Sequence, residues 1–101
     1  MSHIERKDGV VTIKPGVDIV ASKCEDLKGE FLDIVGGGEK KIIIDLSGTE
    51  MIDSSGLGLL ISTRNSLTDA GGDEVEIINI SSDIMQLFKV MRLDNHFTLK
   101  E

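Results

Sequence analysis

Hydrophobic and polar positions change period several times along the chain, and each change marks an element. Val10, Val11 and Ile13 lie between Gly9 and the turn pair Pro15-Gly16, the pattern of a strand bounded by turns. Ile4 opens a short partner strand before Gly9, so the chain is expected to begin with a hairpin. From Val20 the spacing becomes helical, with Val20, Cys24, Leu27, Phe31, Ile34 and Val35 forming one stripe. Gly29 weakens that helix by about 1 kcal/mol relative to alanine without ending it. Gly36-Gly37-Gly38 ends it, a left-handed cap being the expected device, and then serves as a connector. Cys24 lies on the stripe and is expected as a core thiol.

Lys41 to Leu46 reads Lys-Ile-Ile-Ile-Asp-Leu, a continuous apolar run expected of a central strand buried on both faces. The loop Ser47 to Ile52 follows, and then Asp53-Ser54-Ser55-Gly56, a concentration of helix-starting residues. A second helix is expected from about Ser55 to Asp69, stopping at Gly71-Gly72. Val75, Ile77, Ile78 and Ile80 form the next strand. Ser81-Ser82-Asp83 caps a third helix with Ile84, Leu87, Phe88 and Met91 on one side, and Phe97 to Leu99 closes a last short strand. The order β-β-α-β-α-β-α-β predicts one α/β domain over residues 1–101. Its mixed sheet has parallel central strands, joined by right-handed crossovers and covered by helices.

Composition narrows the function. Leu, Ile, Val and Phe supply 33 of the 101 residues, enough for one aliphatic core. Eleven Lys and Arg against 18 Asp and Glu leave a net charge of −7, which argues against nucleic acid and anionic membrane as partners. Trp and Tyr are absent, so aromatic stacking platforms are missing too. The start of the chain is polar, and the longest apolar runs fall far short of the roughly 20 residues a membrane span needs. A cytoplasmic protein with no direct membrane insertion is the expectation. One cysteine excludes an internal disulfide, and no short-spaced His or Cys pair suggests a metal. No cofactor is implied.

The segment from Asp45 to Ser66 departs from plain fold-building. Asp53, Ser54 and Ser55 fall past the carboxyl end of the central strand and at the amino end of a helix, the usual place for a working site in α/β domains. Free amides there favour an anion, so a phosphate on Ser54 or Ser55 would find a receptor. At 100° per residue, Leu57, Leu60, Ile61 and Leu67 share one arc, expected to face the sheet. Ser55, Leu59, Ser62 and Ser66 share the opposite arc, an uncharged outer face with one large apolar residue and the look of a docking surface. A phosphate at its centre would switch docking off.

Asp53-Ser54-Ser55-Gly56-Leu57-Gly58-Leu59-Leu60, preceded by Ile42-Ile43-Ile44-Asp45-Leu46, resembles the signature of STAS domains, and the short free-standing form resembles bacterial anti-sigma-factor antagonists. The likeness runs from the opening strands, through Gly16-Val17-Asp18, to the third helix. It implies that Ser55 accepts phosphate, with Ser54 as second choice, from an anti-sigma factor that is itself a serine kinase. The unphosphorylated form would bind that factor, and a serine phosphatase would reset the switch. It also places Asp18 and Asp53 beside the acceptor. With Ser54, Gly56, Leu59 and Ser62 they make up the expected partner-binding surface. The family also includes non-phosphorylated scaffolds and accessory subunits of transport complexes, which form the alternative.

Enzymatic readings find less support. A serine hydrolase needs a His base, and His3 and His96 sit in polar surroundings near the chain ends, with no Gly-x-Ser-x-Gly elbow around the serines. Gly56-Leu57-Gly58 lacks the third glycine of a dinucleotide loop, Ile61 standing in its place. No catalytic residue is assigned.

Overall fold

The computed structural model describes residues 2–101. The chain opens with strands β1 (His3–Lys7) and β2 (Val10–Lys14), and helix α1 (Ala21–Val35), strand β3 (Lys41–Asp45) and helix α2 (Ser54–Asp69) follow. Strand β4 (Glu74–Ile78), helix α3 (Ser82–Val90), a 3-10 turn (Leu93–Asn95) and strand β5 (Thr98–Leu99) complete it. The β-β-α-β-α-β-α-β order expected from the hydrophobic pattern is therefore the order found.

Lys7 pairs with Val10, so Asp8 and Gly9 alone make the β1–β2 turn, both with positive φ (54° and 80°). That is the geometry of a type I′ turn, whose twist matches the flanking strands and which an Asp-Gly pair adopts readily. α1 ends on Gly36 in right-handed conformation (φ −67°), and the left-handed residue of the glycine run is Gly38 (φ 83°).

The strands stand side by side in chain order, β1-β2-β3-β4-β5, with β1 antiparallel and the others parallel. When a sheet grows in one direction and each crossover has the same hand, the helices accumulate on one face. The core obeys this. Val11, Ile13, Ile42, Ile44, Val75 and Ile77 are at most 2 % exposed and share one hydrophobic cluster with α1, α2 and α3.

The opposite face corrects one expectation. β3 is not buried on both sides: Ile42 and Ile44 are fully buried, but Ile43 between them is only partly so and lies outside the core cluster. Thr12, Ile43, Glu76 and Thr98 form a row across this second face. Glu76 is buried there by ion pairs to Lys41 (2.7 Å) and Lys100 (3.0 Å). Its carboxyl is held below the usual range, first by the hydrogen bond from Lys41 and then by that from Lys100.

Candidate functional site

Because β2, β3 and β4 are parallel, the segments leaving them gather at one end of the sheet. The strand order never reverses, and a reversal is what opens the ligand crevice of doubly wound folds. This end is built instead as a surface, and two aspartates organise it.

Asp53 is the N-cap of α2. Its Oδ1 accepts from the Gly56 N–H at 2.9 Å, the local cap expected of an Asp before a helix. Its Oδ2 accepts from the Ala21 N–H, also at 2.9 Å. Ala21 opens α1, whose own N-cap, Val20, offers no side-chain bond. One carboxylate thus caps two helices, and the bonds from Gly56 and then Ala21 hold its pKa below the usual carboxylate range.

Asp18 does the same for the β3–α2 loop. Its Oδ1 accepts from the Glu50 N–H (2.9 Å) and the Met51 N–H (3.1 Å). Thr49 Oγ1 donates to the Val17 carbonyl at 2.8 Å, and the Ile19 N–H to the Met51 carbonyl at 3.0 Å. Ile19 and Ile52, both buried, pair as a single parallel bridge between the two loops. A third loop joins through Asp45, whose Oδ1 accepts from Ser47 N–H and Asn79 Nδ2, both at 2.9 Å.

Gly56 is buried at the centre of this junction. A Cβ there would lie 2.0 Å from the Ile19 carbonyl oxygen and 2.9 Å from Ile52 Cγ2, so only glycine lets α2 start against the β2–α1 loop. This moves Gly56 from the expected docking surface into the packing beneath it.

Leu59 requires the larger correction. It is 9 % exposed and belongs to the core, so it does not face outward as the helical wheel suggested. The wheel allowed α2 a single buried arc, toward the sheet. In the fold α2 also packs on α1, and Leu59 and Thr63 line the crevice between the two helices with Phe31 and Val35. Thr63, 4 % exposed, satisfies its hydroxyl on the Leu59 carbonyl at 2.8 Å. Leu57, Leu60 and Leu67 are buried as expected, whereas Ile61 and Arg64 are half-buried at the arc's edge.

Ser54, Ser55 and Ser62 are exposed, and Asp18 and Asp53 are half-buried beneath the loop surface. The anion receptor expected for a phosphate is already occupied, since Asp53 takes the Gly56 amide itself. Cys24 is half-buried, and burial first, then the Asp53 charge, pushes its thiol pKa up. Met51, 59 % exposed, is the site residue that no sequence pattern marked.

The sequence profile of the STAS domain matches residues 2–101. The chain belongs to the STAS domain family. Among solved structures, this STAS domain is similar to a Thermotoga maritima protein described as an anti-sigma factor antagonist, with a TM-score of 0.90 and 22 % identity, covering 99 % of this chain and 86 % of that one. An anti-sigma factor antagonist from Mycobacterium paratuberculosis gives a TM-score of 0.86 at 23 % identity, covering 99 % and 84 %. SpoIIAA of Bacillus in its phosphorylated form gives 0.74 at 19 % identity, covering 98 % and 90 %. At these identities the likeness establishes the STAS fold. Among the described residues no helix is long and apolar enough to cross a membrane.

Proposed function

We infer that this STAS domain is an anti-sigma-factor antagonist, a protein-interaction switch in bacterial transcription with no catalytic activity of its own. The unphosphorylated form binds an anti-sigma factor that is also a serine kinase, the kinase modifies Ser55, and a serine phosphatase reverses the modification. The observation that carries this reading is the pair of exposed hydroxyls, Ser54 and Ser55, opening α2 on a junction that Asp53, Asp18 and Gly56 make rigid. The names of the structural neighbours point the same way.

The geometry also supports a mechanism for the switch. A phosphate on Ser55 brings close to two negative charges to a helix start whose Gly56 amide already serves Asp53. It gains little from the helix and is repelled by the Asp53 carboxylate, so it stays in solvent and acts on the partner. In a kinase complex the acceptor hydroxyl faces the nucleotide, and after transfer the new phosphate faces the phosphates left behind. Like-charge repulsion and the cost of stripping its water then eject the antagonist, with no rearrangement of the fold. Incubation with the cognate anti-sigma kinase and ATP, followed by mass spectrometry, is expected to map phosphate to Ser55. Modification of neither Ser55 nor Ser54 ends the reading.

A further inference from the structure

Four large hydrophobic side chains stay exposed among the described residues: Leu32, Met51, Val90 and Met91. Leu32 lies in the last turn of α1, and Val90 and Met91 lie at the end of α3. Met51 alone is on the loop that leads into α2, two residues before its N-cap. An exposed methionine on a loop is ordinarily free to move; this one is not. Its N–H is bound by Asp18, its carbonyl by the Ile19 N–H, and the next residue, Ile52, is buried against Ile19. The backbone has lost its freedom before any partner arrives, which lowers the entropic cost of docking, and the thioether adapts to the pocket it enters.

The charge along the segment that carries Met51 is one-sided. From Asp45 to Leu60 there is no Lys or Arg, and Asp18, Glu50 and Asp53 surround the loop with carboxylates. Asp18 and Asp53 spend their oxygens on backbone amides, while the ion pairs among the described residues involve other side chains. No ion pair among the described residues cancels their negative charge. We propose that Met51 is the apolar anchor of the docking surface and that Asp18 is the positioning residue that holds it in place. The occupant is a protein with an apolar pocket rimmed by Lys or Arg, the complement of a fixed thioether among unpaired carboxylates. This rests on the antagonist reading and identifies the partner with the serine-kinase anti-sigma factor named there.

The test titrates the purified serine-kinase anti-sigma factors of the source genome with this protein by calorimetry, at a temperature where circular dichroism shows every variant folded. Met51→Ser weakens binding about tenfold or more with an unchanged melting temperature, whereas Val90→Ser, the loss of an exposed apolar side chain elsewhere, has no effect. Asp18→Ala weakens binding to a similar degree, and Asp18→Asn, which loses the same charge but keeps the carbonyl acceptor for the Glu50 and Met51 amides, binds severalfold more tightly than Asp18→Ala. Parent binding with Met51→Ser within about twofold overturns the anchor and leaves the antagonist reading standing. Asp18→Asn as weak as Asp18→Ala overturns the positioning role. If the parent binds none of these kinases, the antagonist reading falls and the anchor with it.

Discussion

Two acidic regions of this domain have carboxyl pKa values lowered by folding, and they are satisfied in opposite ways. Glu76, on the helix-free face of the sheet, meets two lysines, and its charge is cancelled locally. Asp53, at the start of α2, meets two backbone amides, and Asp18 meets two more. Amides satisfy the oxygens without neutralising the charge. The first arrangement closes a patch of surface; the second fixes loop geometry and leaves the carboxylate charge in place. A lowered pKa by itself does not separate a carboxylate that is neutralised in place from one that stays charged. The identity of the donors does.

The sharpest break of this comparison is Gly56→Ala. Its Cβ has nowhere to go but into the Ile19 backbone, so the junction has to separate, at a cost of about 3 kcal/mol or more, measured by urea denaturation. Leu60→Ala, a fully buried truncation, costs about 2 to 5 kcal/mol. Leu59→Glu is expected to destabilise to a similar extent, since it puts an unpaired charge between α1 and α2. A Leu59→Glu protein as stable as the parent would return that residue to the outer face. Glu76→Gln is milder, about 1 kcal/mol, because Lys100 is largely exposed and Lys41 partly so, and both regain water.

The two carboxylates are also separable by acid. Both have folded pKa values below the unfolded ones, so their stabilisation is complete above the ordinary carboxylate range near 4 and is lost as pH falls through the lower folded values. Glu76→Gln and Asp53→Asn should each flatten the fall in melting temperature as the pH drops below the ordinary carboxylate range. Asp53→Asn should also weaken the partner complex, whereas Glu76→Gln should not. The smallest expected effect is Gly58→Ala, two residues from Gly56. Its Cβ meets nothing within 4 Å, and the helix gains about 0.5 to 1 kcal/mol of stability.

Much of the fold was legible because the pattern is local. The helical stripe through Leu27, Phe31 and Ile34, the Asp53 cap before α2 and the Ser81 cap before α3, whose Oγ accepts from Ile84 N–H at 3.2 Å, each depend on residues within a few positions. The hidden part lay between segments. The resemblance places Asp18 beside the acceptor, but that it fixes the loop shows only in its oxygen, bound to amides 32 and 33 residues away. Val20 is a poor N-cap by composition, and α1 starts there because Asp53 supplies the missing acceptor across the junction. Glu76 looks like a solvated charge in the sequence Glu74-Val75-Glu76; register places it where Lys41 and Lys100 can cover it.

The sequence by itself determined the order of elements, the place where α2 starts and the serines set there, because turn geometry, capping and hydrophobic period act over one or two turns of chain. Only the tertiary structure decided which faces are covered. A strand order without reversal puts every helix on one side of the sheet, and the contact of α2 with α1 widens its buried arc to take in Leu59. Burial is a property of what arrives from elsewhere in the chain, and no wheel drawn for one helix contains it.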